Sequence, residues 1–394
     1  MAVQSLEGLL TQGKLKGRRV FVRADLNVPL RDGKPSDISR ILASLPTLRR
    51  LLGAGARVIL SSHLGRPKGQ RKAELSLRPV AAELARQLGT AVAFSDDCLG
   101  ESTEAAAAEL EDGQILLLEN LRFYAGETGN DRDFARGLAA LAEVYVNDAF
   151  GTAHRAHAST VGMVPFVAEA AAGLLMQKEL DKLQIALEPE RPFLCLLGGA
   201  KVSDKLGVLE ALAPRADVLA VGGAMAYTFL AAQGVAIGSS LVEPDRIEDA
   251  RRVIAYAKQA DCRLLLPSDH VVAREPGEGS ASRVVSEIPD GWMGLDIGPD
   301  TAARYAEEAR RARTLLWNGP MGMFEVEAFA AGTRTVAQGV AQSEGSSIVG
   351  GGDSLAAINQ LGLADMIDHL STGGGASLEY VQGIELPGVA VLER

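Results

Sequence analysis

Short apolar runs recur along the chain, each ending in a polar or glycine-rich tip. RVFVRADLNV, ARVILSSHLGR, ILLLENLRF and VYVNDAFGTAHR form such units in the first half, and PFLCLLGGAK, DVLAVGGAM, CRLLLPSDH, TLLWNGPMG and SSIVGGGDS in the second. Continuous apolar runs without polar alternation predict strands buried on both faces, as in parallel sheets. Between them, SLRPVAAELARQLG and EDARRVIAYAKQA carry the alanine and leucine content of amphipathic helices. Strand and helix alternate, which predicts an α/β protein of two doubly wound, Rossmann-like domains with parallel sheets. AEAAAGLLMQKELDKLQIAL predicts one long helix ending at Leu187, broken by Pro189 and Pro192. The expected organisation is an N-terminal domain over 1–170, a connecting helix and hinge over 171–192, a C-terminal domain over 193–379, and a segment 380–394 packing back on the first domain.

Bulk numbers narrow the possibilities. With 394 residues the chain is too long for one core. A net charge of -10 gives no reason to expect nucleic acid or an anionic membrane as partner, so any anion site is a local basic cluster on an acidic protein. Three scattered cysteines form no C-x-x-C pair, which indicates neither a disulfide framework nor a cysteine zinc site. No signal peptide or membrane span is visible, and a cytoplasmic location is expected.

Ligands of open parallel sheets bind beyond the carboxyl ends of the strands, and the two halves differ there. First-half tips carry Arg23, Asp25 and Asn27, then His63 and Arg66, Arg122, and His154, Arg155 and His157, with Arg40 close behind. Second-half tips carry glycine, at 198–199, 222–223, 319, 350–352 and 373–375. Arginine grips carboxylate or phosphate with a rigid donor fork. Glycine lets backbone N–H groups approach a phosphate, and a helix N-terminus adds its positive end. A single arginine is usually solvated surface and a single Gly-Gly is usually a tight turn; their repetition points to a socket for a small anion and a cradle for nucleotide phosphates.

The stretch NDAFGTAHRAHAST admits three readings. HRAH has the spacing of two metal ligands on one helical face, but zinc wants three or four ligands and no cation between them. A general base is conceivable, though no nucleophile elbow accompanies it. An anion socket fits best, with the histidines adding hydrogen bonds and partial positive charge. GLLTQGKL imitates a phosphate-binding loop, but Leu15 stands where Ser or Thr is needed and the match precedes the first strand. G-x-G-x-x-G, H-R-D and D-F-G are absent. Lys201 and Lys205 share one face if a helix begins there, opposing its dipole unless a phosphate neutralises them. Asp353, in GGGDS, is either a helix N-cap or a carboxylate for phosphate-bound Mg²⁺.

RADLNVPL, SSHLGRP, LLENLRF, NDAFGTAHRAHAS, GGAKVSDK, LWNGPMGMFE, GGGDS and STGGGAS together resemble the phosphoglycerate kinase family, over essentially the whole chain. The resemblance implies reversible phosphoryl transfer from 1,3-bisphosphoglycerate to ADP, giving 3-phosphoglycerate and ATP. Direct transfer between ligands held on two separate sheets then requires tip edges that face each other across a cleft, closing and opening by hinge bending, and a monomer is expected because each half carries its own core and no exposed apolar stretch stands out. It implies a 3-phosphoglycerate site of Asp25, Leu26, Asn27, Arg40, His63, Leu64, Gly65, Arg66, Arg122 and Arg155. The implied nucleotide site comprises Lys201, Lys205, Gly322, Glu325, Gly351, Gly352, Asp353 and Ser354, with Mg²⁺ as cofactor at Asp353. Arg40 and Lys205 are the implied catalytic cations. Ser354 stands where the family often has threonine, and Met323 where it usually has valine. The rival readings are a dehydrogenase acting on a phosphorylated substrate, against which the missing dinucleotide fingerprint speaks, and a nucleotide-binding protein without turnover.

Overall fold

The computed structural model describes residues 3–393. The chain divides into two compact units, one running to Leu180 and including Glu385 onward, the other spanning Asp181–Ile384. The division falls inside the helix Leu174–Leu187.

In the first unit, β1 (Arg19–Ala24) is followed by a small hairpin, β2 (Leu30–Arg31) with β3 (Lys34–Pro35), then by β4 (Arg57–Ser61), β5 (Ala93–Phe94), β6 (Ile115–Leu117), β7 (Val144–Asp148) and β8 (Glu169–Ala172). The six-stranded parallel sheet runs β5-β6-β4-β1-β7-β8. Its interior strands are the predicted apolar runs; Val22, Leu60, Leu117 and Val146 pack in one buried cluster. Connections from β1 lead to one side and those from β7 to the other, which opens a crevice at the tips of β1 and β7.

The second unit contains β9 (Phe193–Leu197), β10 (Val218–Val221), β11 (Arg263–Leu265), β12 (His270–Ala273), β13 (Arg283–Val285), β14 (Met293–Ile297), β15 (Thr314–Asn318), β16 (Ser346–Gly350) and β17 (His369–Ser371). Its parallel sheet runs β11-β10-β9-β15-β16-β17, and its switch point lies between β9 and β15. Leu196, Ala220, Leu315, Trp317 and Val349 fill its core.

All nine predicted strand units are present, and the helices expected in SLRPVAAELARQLG and EDARRVIAYAKQA span Arg78–Leu88 and Ile247–Gln259. Three differences stand out. Residues 169–172 form β8 rather than the first turn of the long helix. Alanine favours helix intrinsically, but here the backbone pairs with β7, and Ala172 N–H donates to Gln4 O. The strands that the pattern missed in the parallel sheets, β5, β8 and β17, are edge strands, held by pairing on one side with little apolar sequence of their own. The antiparallel sheet β13-β12-β14 is an insertion that the apolar runs did not announce.

Candidate functional site

In the first unit the tips of β1, β4, β6 and β7 bring charge together. Arg23, paired in register with Ser61 of β4 and Asn147 of β7, is fully buried. Its Nε donates to Ser159 Oγ at 2.8 Å, and its Nη2 lies 3.2 Å from His63 Nδ1. Arginine can only donate, so His63 Nδ1 accepts and its proton sits on Nε2. Burial, and then the charges of Arg23, Arg122, Arg40 and Arg155, push His63 well below the usual histidine range. Four arginines thus converge on one neutral imidazole.

The loops that carry them are tied to one another. Asp25 accepts from Arg40 Nη1 at 2.8 Å, and Asn27 Oδ1 accepts from Gly65 N–H at 2.8 Å. Leu26 N–H donates to Ser62 Oγ, and the Asn120 amide both donates to and accepts from the Leu64 backbone. Arg122 is buried and donates Nη1 to Gly65 O at 2.9 Å; its Nε and Nη2 have no partner among the described residues. Burial first, then Arg23 and Arg155, lower its pKa to about 10. Buried donors on a cation are costly to leave unpaired, so two on one guanidinium mark a place for an anion. Arg66, by contrast, is exposed on its loop.

The HRAH stretch is a turn and extended chain, not the helix that the metal spacing presumed, and Arg155 Nε donates to His154 Nε2 at 3.1 Å. Burial and the Arg122, Arg23 and Arg155 charges lower His157 to about 4. It is therefore neutral near pH 7, and the positive charge expected of it comes from the arginines alone. Among the described residues no group of three or more His, Cys, Asp or Glu is placed to hold a metal. The carboxylate of this stretch serves the fold instead. Asp148 Oδ1 accepts from Leu175 and Met176 N–H and caps the helix Leu174–Leu187, and burial raises its pKa to about 6. Asn147 Nδ2 donates to Gly388 O, which ties the C-terminal segment to this tip.

In the second unit the glycines fall into two kinds. Gly198, Gly222, Gly223 and Gly319 sit where loops cross. A Cβ on Gly198 would lie 2.0 Å from Pro320 O, and one on Gly223 2.5 Å from Gly199 O. The N–H groups of Gly198, Gly199, Gly222 and Gly223 all bond to backbone carbonyls, so they are not the phosphate donors that the tip pattern suggested. Gly352 and Gly374 have open space instead. Gly352 opens the helix Gly352–Gln360, whose first N–H groups have no helical acceptor and no side-chain cap. Its N-cap is Gly351, at φ 91°, so Asp353 is an exposed first-turn residue and not the cap. Ser354 is buried and accepts from Gly319 N–H at 2.6 Å.

Lys205 reaches over the switch point, where Nζ donates to Asn318 O at 2.9 Å and also to Asn318 Oδ1. Burial lowers its pKa to about 8, against the pull of Asp204 and Asp353. The helix expected to carry both lysines begins only at Leu206; Lys205 is its N-cap and Lys201 stands exposed in the loop before it, so the two share no helical face. Beside these loops a cavity of about 480 Å³ is lined by Gly199, Gly223, Gly322, Glu325 and Asp353, with Leu241, Leu295 and Met323 on its apolar side. That volume suits a small-molecule ligand. Gly322 packs on Asp296, whose Oδ1 would lie 2.1 Å from a Cβ there. Burial raises Asp296 to about 7, and it accepts from Ile297 and Gly332 N–H. Sequence reasoning missed Asp296, Leu295 and Gly294, which also lines the cavity, because they belong to β14 of the inserted sheet. It noticed Arg23 but left it out of the site, although a charge at the end of an otherwise apolar strand was a usable signal.

The phosphoglycerate kinase family model matches residues 10–384. A phosphoglycerate kinase from Moorella thermoacetica is 56% identical over 96% of this chain and 97% of its own length. A wheat relative, named cytosolic phosphoglycerate kinase, is 52% identical over the full length of both. The solved structure of phosphoglycerate kinase from Coxiella burnetii superposes with a TM-score of 0.90 at 41% identity, covering 99% of each chain. That from Pyrococcus horikoshii gives 0.82 at 33% identity, covering 99% of this chain and 98% of its own. Sequence motifs, sheet topology and full-length similarity agree, and the chain belongs to the phosphoglycerate kinase family.

Proposed function

We propose that the chain catalyses reversible phosphoryl transfer between 1,3-bisphosphoglycerate and ADP, giving 3-phosphoglycerate and ATP. The observation that carries this reading is the arginine cluster around His63, with two orphaned donors on Arg122, in the unit that lacks the glycine-lined cavity. In this reading residues 1–170 hold 3-phosphoglycerate, 193–379 hold the nucleotide, and 171–192 act as hinge.

The chemistry suits what the residues offer. Both acceptors, a carboxylate and a phosphate oxygen, are ionised at neutral pH, so no general base is required. What the reaction needs is charge neutralisation and alignment of a loose transition state. Arg122, Arg155 and the Asn27–Gly65 loop pair bind and orient the phosphoglycerate. Arg40, set by Asp25, and Lys205, set by Asn318, meet the charge on the group in transfer. The N–H groups at Gly351–Asp353 and the cavity beside Glu325 hold the nucleotide. One exposed carboxylate at a helix start beside a phosphate site fits a Mg²⁺ that otherwise binds phosphate oxygens and water, so Asp353 would hold Mg²⁺, which supplies countercharge to the phosphates when bound. Direct transfer needs reacting atoms within about 3–3.5 Å, so closure by hinge bending belongs to the mechanism. A monomer in the cytoplasm completes the proposal; no helix of the described residues is long and apolar enough to cross a membrane.

A coupled assay tests this directly. The purified protein should consume ATP only with 3-phosphoglycerate and Mg²⁺ both present, and turnover indifferent to 3-phosphoglycerate would sink the reading. Small-angle scattering should show a smaller radius of gyration with 3-phosphoglycerate plus a non-transferable Mg-ATP analogue than without ligands.

A further inference from the structure

Behind the arginine cluster lies a carboxylate that no motif flags. Glu127, in the short helix Ala125–Thr128, is fully buried. Its Oε1 accepts from the Ser159 hydroxyl at 2.7 Å and its Oε2 from Ser159 N–H at 3.0 Å. Ser159 Oγ in turn accepts from Arg23 Nε, and Ser159 O accepts from the Tyr145 hydroxyl at 2.9 Å. His157 Nδ1 stands 3.7 Å from Glu127 Oε1. Ser159 is thus fixed through its N–H, its carbonyl and its hydroxyl, and it links Glu127 to Arg23.

The charge of Glu127 acts further than its contacts. It and Asp25 are the carboxylates that favour the Arg122 cation, against Arg23 and Arg155. Asp25 is engaged by Arg40, whereas Glu127 makes no ion pair with any arginine among the described residues. A buried carboxylate without a direct cation is unfavourable by itself. Placed one serine behind a cluster of arginines, it is favoured by their field, and it lowers their mutual repulsion while no ligand is bound.

We propose that Glu127 is the resident counter-ion of the anion socket and a positioning residue, offsetting arginine charge in the unliganded protein and aiming Arg23 through Ser159. The inference rests on the reading of this socket as the 3-phosphoglycerate site. A bound anion and Glu127 then compete for one positive field. Removing the charge should strengthen anion binding while weakening the empty protein; removing the link should not strengthen binding.

Calorimetric titration with 3-phosphoglycerate, without nucleotide, separates these effects. Glu127→Gln keeps the shape and loses the charge, so its Kd should tighten by about three- to tenfold, while the Tm of the unliganded protein falls. Ser159→Ala keeps the charge and cuts the link to Arg23, so its Kd should weaken by about three- to tenfold. Mg-ADP affinity should not change in either. Arg122→Ala is the control: if it binds 3-phosphoglycerate like the wild type, the substrate reading of the socket fails. If Arg122→Ala loses binding but Glu127→Gln binds no tighter than wild type, the counter-ion role is wrong. Should Glu127→Gln not fold, an unchanged Kd in Ser159→Ala alone overturns the proposal.

Discussion

The tips of β1, β4 and β6 and the tips of β9, β10 and β15 end strands of two similarly ordered parallel sheets, yet they are built from opposite materials. In the first unit, side chains make the candidate site: Arg23, Arg40, Arg122 and Arg155 crowd one imidazole, and the loops beneath them are laced by Asn27, Asn120 and Asp25. In the second, backbone makes it: Gly198, Gly223 and Gly319 let three loops cross at distances that no Cβ permits, and a helix start at Gly352 is left uncapped. A small ligand dense in negative charge offers little surface, so it needs cations gathered on flexible stems and locked by second contacts. A larger ligand needs room at its phosphate end, and of these glycines Gly352 alone stands in open space.

The comparison breaks most visibly at the two proposed transfer cations. Arg40→Ala and Lys205→Ala should each lower kcat by about 10²–10³, by analogy with other electrostatic stabilisers of phosphoryl and acyl transfer. Steady-state rates at saturating substrates check this, and a kcat within a few-fold of wild type for either variant removes that unit's share in the chemical step.

The two kinds of glycine are distinguished by stability and affinity together. Gly198→Ala forces a methyl into the Pro320 carbonyl and should lower stability by about 3 kcal/mol or more, read by urea unfolding. Gly352→Ala meets open space, so stability should stay within about 0.5 kcal/mol of wild type. Its KM for Mg-ATP should nonetheless rise, because the methyl stands where a phosphate would approach. If Gly198→Ala is as stable as Gly352→Ala, the crossing-loop account is wrong.

Arg155→Ala should raise the KM for 3-phosphoglycerate by about ten- to a hundredfold while leaving that for Mg-ATP nearly unchanged, since a lost charged hydrogen bond removes roughly 1.5–3 kcal/mol. Equal changes for both substrates would show that the units do not divide the ligands as proposed.

The smallest expected effect is in pH dependence, and it too differs between the units. His63 and His157 are already neutral near pH 7, their pKa values having been lowered, so affinity for 3-phosphoglycerate should show no step from either between pH 6 and 8. Lys205 is lowered to about 8, so its ammonium is present below that pH and lost above it. kcat/KM for Mg-ATP in wild type should fall as pH rises through about 8, and Lys205→Arg, which stays charged, should lose that fall. A wild-type profile flat to pH 9 would count against a role for the Lys205 charge.

Strand existence was legible where the chain is buried on both faces, because a central parallel strand must be apolar throughout; VFVRA and LLWN could hardly be anything else. β5, β8 and β17 were not, because an edge strand is held by hydrogen bonds to one neighbour and needs little of its own sequence to be apolar. The EAAA of β8 even favours helix locally, and pairing with β7, together with the Ala172–Gln4 backbone bond, overrides it. The arginines and glycines of the site were legible as types at tips, since a strand end in an α/β sheet is a place where function gathers.

The sequence by itself determined two parallel-sheet units, their contrasting tips, and, through eight motifs, the family. The tertiary structure decided which glycines are spent on loop crossing and which are open. It also decided that His63 and His157 are neutral, that Lys201 and Lys205 do not share a face, and that Glu127 and Asp296 are buried beneath the candidate sites. The reason is physical: strand formation depends on local apolar burial, which the chain spells out residue by residue, whereas protonation, close approach and charge compensation depend on neighbours distant in sequence, as Glu127 and Ser159 are from Arg23, and no local pattern records them.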